Sequence, residues 1–192
     1  MVGAKEKQQA HWEWVKDWGP EKFQSWLLRW DTELKDMGVD VDRFSGFTTL
    51  NIGGGPIPYR FKNAKEEILL DNNAEWFEPM YPKKYREGMT ILNEDIKNTS
   101  IKSESVDVVY IRKTIEYIDD WQLVLRQIWR VLKPSGVLIM MFHEVQNDSI
   151  NLNLLTKDDV TEYLTSIGFR IHFDKRDTSS TYVQIIGVKK VD

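Results

Sequence analysis

Apolar and polar positions change period along the chain. Up to residue 38 the period is helical: His11, Trp14, Val15 and Trp18 share a face at spacings i, i+3, i+4 and i+7. After Gly19-Pro20 the same spacing returns in Phe23, Trp26, Leu27, Trp30, Leu34 and Met37. Proline suits a first helical turn and Gly38 a helix end, so two helices and a stop are expected. From residue 48 short apolar runs take over: TTLNI (48–52), EILLD (67–71), MTILNED (89–95), VDVVYIR (106–112) and GVLIMMFH (136–143) read as strands. Asp120 can cap a helix whose Trp121, Val124, Leu125, Ile128, Trp129 and Leu132 form one apolar face, and Thr156 another with Val160, Tyr163, Leu164 and Ile167 inward. FRIHFDKRD and TYVQIIGVKK, joined by a polar turn, close the chain as an edge hairpin.

A run as continuously apolar as VLIMMF (137–142) implies burial on both faces, hence helices on both sides of a mostly parallel sheet. The expected fold is therefore α/β: a doubly wound, mostly parallel sheet of seven strands, with an antiparallel edge hairpin and an N-terminal helical cover. The cover spans residues 1–45 and the main domain residues 46–192. Little chain separates Pro58 from the second strand, so the connection after the first strand holds a short helix or none. Ligands of such sheets bind beyond the carboxyl ends of the strands, where the strand order reverses.

Composition narrows the classes. The 192 residues are 41% hydrophobic and 29% charged, as in a globular protein, and include no cysteine. That excludes disulfides, thiolate-bound zinc and thiol nucleophiles, and fits a reducing compartment. The net charge of -4, without a long basic block, disfavours nucleic acid and favours a small-molecule, protein or peptide substrate. VLIMMF falls far short of a membrane span, and MVGAKEKQQAHW lacks a signal-peptide core, so a soluble, cytoplasmic protein without a membrane partner is expected.

The first strand runs into Gly53-Gly54-Gly55-Pro56, and Asp71 ends the second strand 18 residues after Gly53. Glycines allow positive φ and close approach of a ligand, and a carboxylate at that place can take both ribose hydroxyls of a nucleoside. A tight turn and a strand-end turn former explain the same residues without a ligand. Pro58 stands where a G-x-G-x-x-G fingerprint needs its third glycine, which counts against a nicotinamide enzyme.

LNIGGGPIP resembles the glycine-rich first motif of class I S-adenosylmethionine-dependent methyltransferases. NEDIKNTSIKSESVDVVYIRKTIEYIDDW resembles that family's stretch from the end of strand three to the helix after strand four, and WRVLKPSGVLIMM its turn into strand five. The three matches cover about residues 48–143 in the family's order. The resemblance implies a Rossmann-like fold, methyl transfer and S-adenosylmethionine as cofactor. It places Gly53, Gly54 and Gly55 along the methionine and ribose, Asp71 with neighbouring Asn72 at the ribose hydroxyls, Asp95 at the adenine amino group and Ile96 against the ring. Arg112 and Lys113 would stand where strand four opens toward the methyl group, Arg112 on the cofactor and Lys113 on the substrate side; a salt bridge to Glu116 or Asp119 explains these charges equally. Asn51 replaces the family's usual acidic residue, so its contact to the cofactor is weakened or rebuilt.

Methyl transfer is largely a matter of orientation and needs a base only for a protonated nucleophile. The catalytic candidate is His143 at the end of strand five, set against a structural histidine bonded to Glu144 or backbone. His11, in the N-terminal helix, and His172, in an edge strand, are less suitably placed, and no metal constellation is visible. Five of the eight tryptophans precede residue 31. Trp14, Trp26 and Trp30 are expected to pack, while Trp12 and Trp18 are substrate-side candidates, together with the loop around Trp76–Tyr85. YIRK replaces the Asn/Asp-Pro-Pro-Tyr/Phe motif of base methylators. The leading expectation is methylation of an oxygen or nitrogen of a small molecule. The alternatives are a weakly active, partner-dependent subunit and a protein or nucleic-acid methyltransferase; a homodimer is left open.

Overall fold

The computed structural model describes residues 9–10, 12–80, 83–144, 155–176 and 182–191. Seven strands form one sheet: β1 (Thr48–Ile52), β2 (Glu66–Leu70), β3 (Met89–Leu92), β4 (Val106–Arg112), β5 (Leu132–His143), β6 (Phe169–Arg176) and β7 (Tyr182–Lys189). Their order is β3-β2-β1-β4-β5-β7-β6. β1 to β5 pair in parallel, whereas β7 runs antiparallel to both β5 and β6. The doubly wound sheet and its edge hairpin are as the periodicity predicts, and the order reverses between β1 and β4. The helices are α1 (Pro20–Asp36), the short α2 (Ala74–Phe77) and α3 (Lys83–Arg86), α4 (Trp121–Val131) and α5 (Lys157–Ser166). No helix among the described residues is long and apolar enough to cross a membrane.

The two faces of the sheet have separate cores. On one face Val124, Leu125, Ile128 and Val131 of α4 and Val160 and Leu164 of α5 meet Leu50, Ile52, Val109, Ile111, Leu138 and Met140. Asp120 and Thr156 cap these helices, accepting from Leu123 N and Asp159 N. Each cap satisfies a backbone donor that would otherwise lack a partner.

On the other face no helix follows β1. Residues 53–65 are irregular, and α1 covers the ground that a crossover helix would hold. Its Phe23, Trp30 and Leu34 pack with Ile57, Tyr59 and Phe61 of that loop and with Val108, Tyr110, Ile139 and Met141 of the sheet. The N-terminal cover is thus a layer on a sheet face, which reaches the ligand edge through Glu33 of α1 at Arg112 and through the segment ahead of α1 at Gly55. The first expected helix is reduced: residues 9, 10 and 12 are helical, a 3-10 turn spans Glu13–Val15, and His11 lies outside the described residues. Trp30 is buried as expected, but Trp14 is 45% exposed and lies against neighbouring indoles and Lys22.

The strand-five turn has a tie of its own. The Asp107 carboxylate accepts from Lys133 Nζ at 2.8 Å and from Thr48 N at 2.9 Å, joining the start of β1 to Lys133-Pro134-Ser135-Gly136. β5 starts at Leu132, ahead of this turn, because Leu132 pairs with Val106 before the register shifts to Val108 and Val137.

Candidate functional site

The carboxyl ends of β1, β2, β3, β4 and β5 gather on one edge and bring most of the expected residues together. Gly53 and Gly55 have φ of +64° and +55°, values for which a side chain is strained. Asp71 is 3% exposed. Its Oδ2 accepts from Gly55 N at 3.0 Å and its Oδ1 from Asn73 N at 2.8 Å, so one carboxylate fixes both turns of the edge. Asn72 is exposed, whereas Asn73, which the sequence reading passed over, is buried. At the end of β3, Asp95 caps a 3-10 turn through Lys97 N at 2.9 Å and faces Lys97 Nζ at 3.6 Å. Ile96 is buried beside it. Glu94 is occupied by Thr99 and Ser100, hydrogen bonds that hold its carboxyl below the usual range.

These residue types fit a nucleoside cofactor: positive-φ glycines after β1, a buried carboxylate after β2, then an acid and an apolar residue after β3. Two details qualify the glycine cradle. A Cβ on Gly53 would collide with the Thr114 side chain, so packing demands glycine there. A Cβ on Gly55 would meet the Trp12 indole first, at an ordinary contact distance of 3.7 Å. Asn51 is buried, and its Nδ2 donates to Tyr59 O at 3.0 Å, holding the loop that replaces the helix.

At the ends of β4 and β5 the charges sort by partner. Arg112 is gripped by Glu33 of α1, with Nε and Nη2 each 2.8 Å from a carboxylate oxygen, and lies over the Trp30 ring at 5.1 Å. Neither Glu116 nor Asp119, the partners suggested by proximity in sequence, takes it; Asp119 pairs with Lys97. Lys113 has a φ of +49°, and its N–H donates to Met141 O at 2.7 Å. Its ammonium sits 5.2 Å over the Tyr182 ring and is pushed down, first by burial and then by Arg112. Trp18 packs against Trp14 and Trp26 in the cover, its indole nitrogen buried without a partner.

His143 ends β5 beside a residue that the sequence reading named only as an ion-pair partner. The His143 N–H donates to Glu116 Oε1 at 3.3 Å, while Glu116 Oε2 and His143 Nδ1 are both buried without hydrogen-bond partners. Glu144 caps α5 by accepting from Lys157 N. Burial pushes the Glu116 carboxyl up to about 7. Burial, and then Lys113 and Arg112, push His143 down to about 4. The imidazole is therefore neutral near pH 7.

The two shifts act on stability with opposite signs. The native state holds the Glu116 proton more tightly than the unfolded chain, so this group's contribution falls as pH rises from about 4.5 to about 7. The native state resists protonation of His143, so that contribution rises between about 4 and 6.5. In the unmodified protein the slopes offset one another. Urea midpoints should therefore climb with pH across this window in Glu116→Gln and fall in His143→Gln. Parallel profiles for the two variants would contradict the assignment.

Known proteins similar to this chain include methyltransferases. Residues 52–140 match the model of the methyltransferase domain family. This chain is similar to that family over just under half of its length. It is 29% identical over 103 residues to 2-methyl-6-phytyl-1,4-hydroquinone methyltransferase 2, chloroplastic, of Oryza sativa subsp. japonica, a match covering 54% of this chain and 28% of that one. The fold matches a chain in the complex between the Haloferax volcanii Trm112 methyltransferase activator and a methyltransferase, with a TM-score of 0.71, 15% identity and coverage of 96% and 98%. It also matches a SAM-dependent methyltransferase from Aquifex aeolicus, with a TM-score of 0.66, 14% identity and coverage of 90% and 100%.

Proposed function

We propose that this protein transfers the methyl group of S-adenosylmethionine to an oxygen or nitrogen of a small-molecule acceptor. The observation that carries the reading is Asp71: a buried carboxylate at the end of β2, tied to Gly55 of the turn after β1. Asp71 would bind the ribose hydroxyls, Asp95 and Ile96 the adenine, and the Gly53–Gly55 turn the remainder. When bound, S-adenosylmethionine supplies an electrophilic methyl carbon on a sulfonium. The chain's own task is orientation: β1 and β4 flank the reversal of strand order, and Lys113, Glu116 and His143 stand at the β4 and β5 ends where an acceptor would lie.

Calorimetric titration with S-adenosylhomocysteine tests the site. The unmodified protein should saturate, and Asp71→Ala should bind at least about a hundredfold more weakly, since a carboxylate taking two hydroxyls contributes about 3 kcal/mol. Equal binding by the two forms would remove Asp71 from the site. A screen of phenols, amines and hydroxy acids with labelled cofactor then defines the acceptor.

A second reading is activity that depends on a protein partner. It is favoured by one observation, the match over nearly the whole of both chains to a structure solved with a methyltransferase activator. Turnover that appears only when an activator of that kind is added would support it; full turnover by the chain alone would exclude it.

A further inference from the structure

We infer that Lys113 is an anion-binding residue and that the acceptor carries a carboxylate, which the Lys113 ammonium holds beside the rings of Tyr182 and His143. The inference rests on the reading of the β4 and β5 ends as the acceptor side, and it names the acceptor's class. Strand register assembles the group. Arg112 pairs with Met141 across β4 and β5, and His143 with Tyr182 across β5 and β7. Lys113, one residue beyond Arg112, therefore comes to the same end of the sheet as His143 and Tyr182. The Tyr182 ring is near both, 5.2 Å from the Lys113 ammonium and 5.1 Å from the His143 ring.

The turn after β4 does not itself need a lysine. Its φ of +49° is a left-handed backbone, in which any residue other than glycine is strained. The bond that closes the turn comes from the main chain, Lys113 N–H to Met141 O at 2.7 Å. The side chain is half-buried and forms no ion pair among the described residues; its ammonium faces the Tyr182 ring instead. A charge drawn out of water without a counter-charge costs folding free energy, and residues kept at such a cost gather at binding sites.

The neighbouring charges leave Lys113 unbalanced. Arg112 is committed to Glu33, and Arg29 and Glu33 act on Lys113 with opposite signs. Glu116 acts on it without forming an ion pair, and with its carboxyl pushed up to about 7 by burial it carries less than a full charge near neutrality. The His143 imidazole is neutral there. One negative charge is missing, and a carboxylate supplies it. A phosphate dianion brings a second, for which Arg112 is already taken. The same end holds two buried polar atoms without hydrogen-bond partners, Glu116 Oε2 and His143 Nδ1. A bound carboxyl oxygen gives such atoms a partner.

The experiment is ligand-observed NMR titration of the full chain, with and without S-adenosylhomocysteine. The probes are benzoate and benzamide, salicylate and salicylamide, and phenyl phosphate. The unmodified protein should bind each acid at least about tenfold more tightly than its amide, because a charged partner strengthens the hydrogen bond. Lys113→Arg should keep that preference and Lys113→Gly should lose it. Urea unfolding of the same variants gives a reading that needs no ligand. Lys113→Gly should have a midpoint at or above that of the unmodified protein, since glycine accepts the left-handed backbone and the unbalanced charge is gone. Equal binding of acid and amide, tighter binding of phenyl phosphate than of benzoate, or a lower midpoint in Lys113→Gly overturns the inference. Binding of S-adenosylhomocysteine is read separately. Its absence beside a preference for acids that depends on Lys113 overturns the cofactor site and leaves the anion site standing.

Discussion

Glu33→Ala should cost about 3–5 kcal/mol of folding stability, because it strands a buried guanidinium. The side chains of Arg112 and Glu33 are 10% and 17% exposed, and the pair is bidentate. Tyr182 OH also reaches Glu33 Oε2 at 3.4 Å, so α1, β4 and β7 meet at one carboxylate. Truncating Glu33 leaves Arg112 facing the Trp30 ring and the Tyr182 hydroxyl, neither of which replaces a charge. Urea unfolding should show a lower midpoint at an unchanged slope. Adding Arg112→Met should recover more than half of the loss, since the penalty lies in the unpaired charge rather than in the missing attraction. A Glu33→Ala midpoint matching a loss below about 1 kcal/mol would mean that water reaches Arg112 freely, and the pair would then rank with surface ion pairs.

This ion pair also shows where sequence reasoning stops. Arg112 was legible as a charge at the end of a strand, and local spacing offered Glu116 and Asp119 as partners. The actual partner lies 79 residues away, on a helix with several acids, and no periodicity singles out Glu33. What was legible has one-dimensional causes. Continuous apolar runs marked β1, β4 and β5, and the cap residues Asp120 and Thr156 marked α4 and α5. Pro56 and Pro58 in a short connection marked the missing helix. Its substitute on the sheet face, α1 with Ile57, Tyr59 and Phe61, is a tertiary arrangement that the pattern did not contain.

The site divides in the same way. The glycine turn, Asp71, Asp95 and Ile96 were legible by motif and by position at strand ends. Asn51 was legible as an unusual residue, but its bond to Tyr59 O depends on where the loop folds back. Glu116 was passed over because a single acid between isoleucine and tyrosine gives no sign that one of its oxygens is buried without a partner. The helical spacing puts Trp12 off the first apolar face; its place on Gly55 and against the core follows from the turn at Glu13–Val15, which that spacing does not foretell.

Gly53→Ala should be comparably damaging, and its cause can be divided by a second substitution. The φ of +64° makes any side chain there cost about 1–2 kcal/mol. The added Cβ would lie 2.6 Å from Thr114 Oγ1 and 2.9 Å from Thr114 Cβ, with Cγ2 also in its path. Thr114 has no easy retreat, because its hydroxyl is held by strand-end carbonyls on β1 and β4. Forcing atoms into such a contact typically costs a further 1–3 kcal/mol, roughly. The backbone must shift, and Gly53 N would draw away from Leu70 O, now 2.8 Å distant. Gly55 and Asp71 move with that turn, so binding of S-adenosylhomocysteine should be lost along with stability. Thr114→Ala removes Oγ1 and Cγ2 but leaves the 2.9 Å contact with Cβ and the φ penalty, so in that background Gly53→Ala should cost less than in the unmodified protein but more than the ~1–2 kcal/mol of φ alone. An equal cost in both backgrounds would show that backbone conformation alone requires glycine at the end of β1. The close approach of β1 to β4 through Thr114 would then have no part in shaping the edge proposed for the cofactor.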